Sequence, residues 1–191
     1  MIELPLPTEL FSRRANRPVA ARIIHLPTED AARKVDSVWW TSLGGKTRKN
    51  EIDGAWDWAL TVQACQWDWY TDCYAIETLE DGEIQGAMAV YAAAWSILAP
   101  GQLALDVARL ATAPQNRAWL PLSESAPLYQ GVGSALPTHA ILWSKDLRLE
   151  GRLILNVRKR DYAHGFYIRR GFVATNRVFD DRVLLELPAQ P

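Results

Sequence analysis

The segment Gln130-Gly131-Val132-Gly133-Ser134-Ala135-Leu136 constrains this chain more than any other. It follows a strand-like run and a loop, and it opens a run with helical spacing. Two glycines one residue apart let the backbone take positive φ and come close to a ligand. A helix starting there aims its unpaired N–H groups and the positive end of its dipole at whatever the glycines admit, as suits a pyrophosphate. The same loop also serves as a plain turn before a capped helix, so alone it does not fix a ligand. Two other phosphate loops are excluded. No Gly-Lys-Ser/Thr is present, as a Walker A loop requires. A dinucleotide fingerprint wants a third glycine where Leu136 stands, and an acid about twenty residues on at the end of a second strand. Glu150 has nearly that spacing but precedes Gly151 at a helix end.

The rest of the chain punctuates into alternating elements. Residues 1–17 read as an N-terminal extension, and 18–191 as a single domain. Val19–Leu26 is a first strand. Thr28, followed by Glu29 and Asp30, starts a helix running to about Leu43 and ended by Gly44-Gly45. Two Trp-Asp-Trp triplets, Trp56–Trp58 and Trp67–Trp69, span a second helix and a loop. Cys73–Leu79 and Ile84–Ala94 pair across a Glu80-Asp81-Gly82 turn. Leu103–Thr112 is a strand stopped by Pro114. A loop covers about 114–130. A helix from Gly131 to about Leu149 is closed by Gly151. Leu153–Val157, a short helix from Asp161 to Arg170, and strands Phe172–Thr175 and Arg182–Leu187 complete the order. The class is α/β (α+β), with a mixed, mostly antiparallel central sheet flanked by helices.

Charge is unevenly placed. Residues 51–108 carry ten Asp/Glu and no Lys/Arg, while 109–191 carry twelve Lys/Arg against seven acids. The middle could attract a cation, or simply be a solvated acidic face; the last third could attract phosphates. No apolar run is long enough to span a membrane and no leader-like start is seen, so a cytoplasmic protein is expected. Two cysteines, Cys65 and Cys73, fit a reduced compartment; a disulfide between them is possible but nothing in the sequence argues for it, and with three histidines they show no zinc spacing, so no metal is expected.

Three segments resemble the GNAT (GCN5-related N-acetyltransferase) superfamily. Gln130–Ala135 is similar to its Gln/Arg-x-x-Gly-x-Gly/Ala loop for coenzyme A. Leu105-Asp106-Val107-Ala108-Arg109-Leu110-Ala111-Thr112-Ala113-Pro114 resembles its fourth strand. Ala163-His164-Gly165-Phe166-Tyr167, ending at Gly171-Phe172, resembles its Ala-x-x-Phe-Tyr-x-x-x-Gly-Phe signature. The three fall in the family's order and cover about 73–187. The resemblance implies an acetyl-CoA-dependent N-acetyltransferase that acetylates a primary amine of a small molecule or peptide by direct attack. Gln130, Gly131, Val132, Gly133, Ser134 and Ala135 would then hold the pyrophosphate, and main-chain groups at Leu110 and Thr112 the pantetheine arm. Tyr167 would protonate the departing thiolate, and Asp106 would act as general base. His164 and Glu77 are weaker candidates for that base.

Some positions depart from the pattern. Arg160 stands where the family often has Asn. Pro137 falls early in the loop's helix, where it removes a donor. The 114–130 loop, with Trp119, Pro121 and Pro127, is long enough for a lid or a homodimer contact. The tryptophans and acids suggest a cationic or aromatic amine, although core packing explains most tryptophans equally well. A tRNA-acetylating toxin would use Arg13, Arg14, Arg17 and Arg158-Lys159-Arg160 on phosphates, but a pI near 6.3 is low for a dedicated RNA binder. A non-catalytic CoA-binding module is the third reading.

Overall fold

The computed structural model describes residues 3–26, 28–41, 51, 53–67, 71–118, 120, 127–159 and 162–190. Gly44-Gly45, Trp69, Trp119, Pro121, Arg160 and Asp161 lie outside them. The chain divides into two compact units, one of Glu3–Ala89 with Arg109–Pro137 and one built from Val90–Ala108 with Thr138–Pro191.

The first unit holds β1 (Leu6–Ser12), β2 (Arg17–His25), α1 (Glu29–Thr41), α2 (Trp58–Trp67) and β3 (Thr71–Thr78), then the first half of β4 (Ile84–Trp95). The end of β5 (Leu103–Thr112), a 3₁₀ turn at Pro114–Asn116, β6 (Tyr129–Gln130) and the start of α3 (Val132–Asp146) complete it. Its strands run in the order β6-β1-β2-β3-β4. The stretch expected to be an extension contains β1, which pairs antiparallel with β2 from Leu6↔Ile23 to Ser12↔Arg17. Its inward positions, Leu10 and Ser12, alternate with exposed Glu9 and Phe11. Pro7 disguises that period, but it sits where β1 has a partner on one side only, and there a missing N–H costs little.

The core of this unit is built from large indoles against small strand residues. Trp39, Trp40, Trp58, Val35 and Val62 fill the space left by Ala75, Ala87, Ala89, Ala111 and Ala113. Trp39 also donates from its indole N–H to the Ile84 carbonyl at 3.1 Å. Asp36 of α1 accepts from the Trp58 and Ala59 N–H groups, so α1 caps the start of α2.

The second unit holds the rest of β4, β5 and α3, then β7 (Leu153–Arg158), α4 (Tyr162–Ile168), β8 (Val173–Phe179) and β9 (Arg182–Leu187). Its strand order is β4-β5-β7-β9-β8. The described pairings are antiparallel except β5 with β7, which run parallel. Leu105, Val107, Leu153, Leu155, Val183 and Leu185 are buried here. Glu186, fully buried, accepts from the Ser96 hydroxyl and from the N–H groups of Ile97 (2.7 Å) and Leu98 (3.1 Å). That ties the turn after β4 to β9. The mixed sheet flanked by helices is therefore the class the chain adopts; β1 and β6 are the strands added to the expected order. No described helix is long and apolar enough to cross a membrane.

Candidate functional site

In the first unit, the chain entering the glycine segment is held from three sides. Arg13 donates its N–H to Leu128 O (2.9 Å), and Leu128 donates to Gln115 O (3.0 Å). The Asn116 side chain accepts from the Tyr129 N–H (2.9 Å) and donates to the Gln85 side-chain oxygen (2.9 Å). β6 then pairs Gln130 with Phe11 and Tyr129 with Ser12. Gly131 follows with φ +97°, a left-handed conformation that a side chain strains. Its carbonyl accepts from the N–H groups of Ser134 and Ala135, both at 2.9 Å.

That pairing sharpens the expectation for the loop. Ser134 and Ala135 already spend their main-chain donors inside the helix. The N–H groups that precede the first helical bond belong to Gly131, Val132 and Gly133. Pro137 is the sixth residue of α3, which runs on through it to Asp146.

The helix start sits close to the sheet because of Gly86. A Cβ there would lie 2.6 Å from Val132 Cγ1, 3.0 Å from Leu136 Cδ1 and 3.1 Å from the Ala111 carbonyl oxygen. Only a residue without a side chain lets α3 seat on β4 at this height. Gly86 was not among the expected site residues. An isolated glycine inside a strand-like run was the signal that could have found it.

β5 changes its pairing along its length. Within the second unit, Leu105 N–H donates to Arg152 O, and the parallel register with β7 runs from Leu105↔Leu153 to Val107↔Leu155. Within the first unit, Ala113 N–H donates to Gln85 O (2.8 Å), toward β4. Beyond Val107, β5 has no second ladder partner among the described residues. Leu110 and Thr112, the positions expected to meet the pantetheine arm, lie in this stretch. The Thr112 carbonyl, however, already accepts two bonds from Arg117, one at 2.9 Å from Nε.

Arg117 is itself fixed by Asp53, through both carboxylate oxygens, and by Glu51 at 2.8 Å; its guanidinium lies 5.4 Å from the Trp40 ring. Arg117 and Asp53 are both almost fully buried. Arg117 belongs to the loop expected as a lid, Asp53 lies 64 positions before it, and nothing in the sequence spacing marks the pair.

The acids of the middle third are largely spoken for. Glu77 pairs with Arg22, Glu80 with Arg17 at 3.6 Å, and Asp72 with His25 at 2.8 Å. Asp57 caps α2 through the Leu60 N–H at 2.8 Å. The charge asymmetry of the sequence thus resolves into pairs between early basic and middle acidic strands. Glu77, the weaker base candidate, is one of them. Arg109 bonds the Thr61 hydroxyl and the Asp57 carbonyl and lies 5.6 Å from the Trp56 ring. Trp39 and Trp58 are core, whereas Trp67 is exposed.

In the second unit, Asp106 is half-buried on β5, with buried Leu105 and Val107 on either side. It has no ion-pair partner among the described residues, and burial pushes its carboxyl above the usual range. Tyr167 is buried in α4, edge-on to Phe166 (5.1 Å between ring centres) and Phe172 (5.2 Å). Burial pushes its phenol upward, so it holds its proton through the neutral range. His164, the other weaker candidate, is half-buried on the same helix. His139, buried in α3, is pushed down to about 4 and is neutral at pH 7.

No family model and no curated protein matches this chain. Solved structures do. The GNAT domain of S. lividans PAT superposes with a TM-score of 0.61 over 94% of this chain and 95% of its own, at 14% identity. The PaiA N-acetyltransferase of Thermoplasma acidophilum, solved with coenzyme A, gives 0.56 over 87% and 97%, at 13% identity. The Campylobacter jejuni N-acetyltransferase PseH, solved with acetyl coenzyme A, gives 0.52 over 87% and 97%, at 14%. The chain has the fold of the GNAT acetyltransferases.

Proposed function

We propose that this chain is an acetyl-CoA-dependent N-acetyltransferase acting on a primary amine of a small molecule or peptide. The supporting observation is the start of α3. Gly131 takes a positive φ, the next N–H groups lack helical acceptors, and the whole turn is seated by Gly86. Three forward-pointing donors at the positive end of a fifteen-residue helix suit the pyrophosphate of coenzyme A. The main chain of Leu110 and the N–H of Thr112 take the amide-bearing arm as a strand would.

The chemistry follows from the two titratable groups. The amine nitrogen attacks the thioester carbonyl carbon and forms the new C–N bond. Asp106 takes the proton that the nitrogen loses, directly or through water; its raised pKa makes it a stronger base than an ordinary aspartate. The C–S bond breaks, and Tyr167, kept neutral by burial, gives its proton to the departing thiolate. An assay of free CoA thiol, run with a panel of amines and checked by product mass, tests this reading. An acetylated amine formed only with both substrates present supports it. Full turnover in both Asp106→Asn and Tyr167→Phe would sink the residue assignments. A panel that includes peptides and yields no acetylated product would count against the activity itself.

A further inference from the structure

The last turn of α2 brings Cys65 against Cys73 of β3, with the two sulfurs 2.9 Å apart. That is well inside the ordinary contact distance of two unbonded sulfurs. The cysteines differ in access: Cys73 is fully buried, and Cys65 is half-buried. Around them stand Asp72 and Tyr74 on β3, His25 on β2 and Arg109 on β5. His25 Nε2 lies 2.8 Å from Asp72, and the Tyr74 hydroxyl donates to Asp72 at 3.2 Å. None of these groups has a part in the acetyl transfer proposed above.

The two thiols are also unequal chemically. The hydrogen bond from Cys73 lowers the Cys65 thiol, and the nearby His25 adds to that. Asp72 raises His25, so the imidazole carries its charge more readily beside Cys65. The hydrogen bond to Cys65, followed by burial, pushes Cys73 far up. A low, accessible thiol in contact with a high, buried one divides the labour of disulfide exchange into attack and resolution.

We propose that Cys65 and Cys73 form a redox-active dithiol, with Cys65 attacking and Cys73 resolving, and that its oxidant is a small disulfide of the glutathione type. The Cys65 thiolate attacks one sulfur of oxidised glutathione, forming a mixed disulfide and expelling one glutathione thiolate, which takes up the proton Cys65 lost. Cys73 then loses its proton, attacks Cys65 Sγ and expels the second glutathione. The protein gives up two hydrogens and gains one S–S bond; the oxidant becomes two thiols. The new bond staples the end of α2 to β3.

The test equilibrates the full-length chain with oxidised glutathione, traps free thiols by alkylation and reads intact mass and peptide map. The wild type loses the mass of two hydrogens and keeps no glutathione. Its thermal midpoint rises by about 5 °C, as expected for closing a short loop in a chain of this size. Dithiothreitol reverses both changes. Cys73→Ser keeps one glutathione on Cys65, and Cys65→Ser takes up none. Two free thiols surviving in the wild type, a lasting glutathione adduct there, or a disulfide between two chains would each overturn the proposal. If either variant fails to fold, the wild-type peptide map decides: a Cys65–Cys73 linkage supports the proposal, and its absence overturns it.

Discussion

Asp106 is the residue whose environment states most clearly what it costs. Its pKa is raised by burial, so the folded state prefers it protonated. The stability it contributes is full below the ordinary aspartate pKa and is lost as pH rises through the raised value. At pH 7 the charged carboxylate is therefore a net burden, and Asp106→Asn should unfold at a higher temperature than the wild type. The difference should shrink on acidification and vanish below the ordinary aspartate pKa, which melting curves across pH would show. Turnover should fall about 100-fold in the same variant. In the wild type the acid limb of kcat/KM should lie above the normal aspartate range. Tyr167→Phe should keep the midpoint, because the ring still packs on Phe166 and Phe172, while kcat drops by about 100-fold. Both residues are proposed from their sequence motifs. What motifs could not show was the environment: that Asp106 has no ion-pair partner among the described residues and that the Thr112 carbonyl is already taken by Arg117.

At the scale of elements, the seating of α3 on β4 and the clamp at the end of β5 are the two devices that shape the glycine turn. Gly86→Val places a branched side chain where even a Cβ would collide with Val132. It should weaken CoA binding about tenfold and cost about 1–3 kcal/mol in denaturant unfolding. Arg117→Ala leaves the Asp53 carboxylate buried without its partner. It should cost about 3–5 kcal/mol, and adding Asp53→Ala should restore part of the loss. Apart from β6, the sequence placed the helices and the strands from β2 onward to within a few residues, because hydrophobic period and glycine turns mark them. β1 was missed because Pro7 hides its alternation. β6 was missed because two residues carry no period at all. Arg117 could not be found, since a buried ion pair joins residues 64 positions apart with nothing local to mark it.

At the scale of the molecule, the charge segregation of the sequence suggested an acidic surface for a cationic acceptor. Strand pairing sets three of those acids against basic side chains of β2, as Arg22–Glu77, Arg17–Glu80 and His25–Asp72. A pairing register is invisible in composition, so the sequence alone could not tell a cation-binding face from a self-neutralised one. Of the tryptophans that hinted at an aromatic acceptor, Trp58 is core, Trp56 packs partly against that core and Trp67 is exposed. The donor half of the reaction thus rests on local geometry, and the acceptor half on the chemistry of amines in general. The central claim is that the turn at Gly131–Gly133 binds the pyrophosphate of coenzyme A. Calorimetric titration of the wild type with coenzyme A and with pantetheine tests it most directly. The account predicts one site for coenzyme A, at least tenfold weaker binding of pantetheine, and a matching loss for coenzyme A in Gly86→Val. Equal affinity for the two ligands, or no heat with coenzyme A, would contradict it.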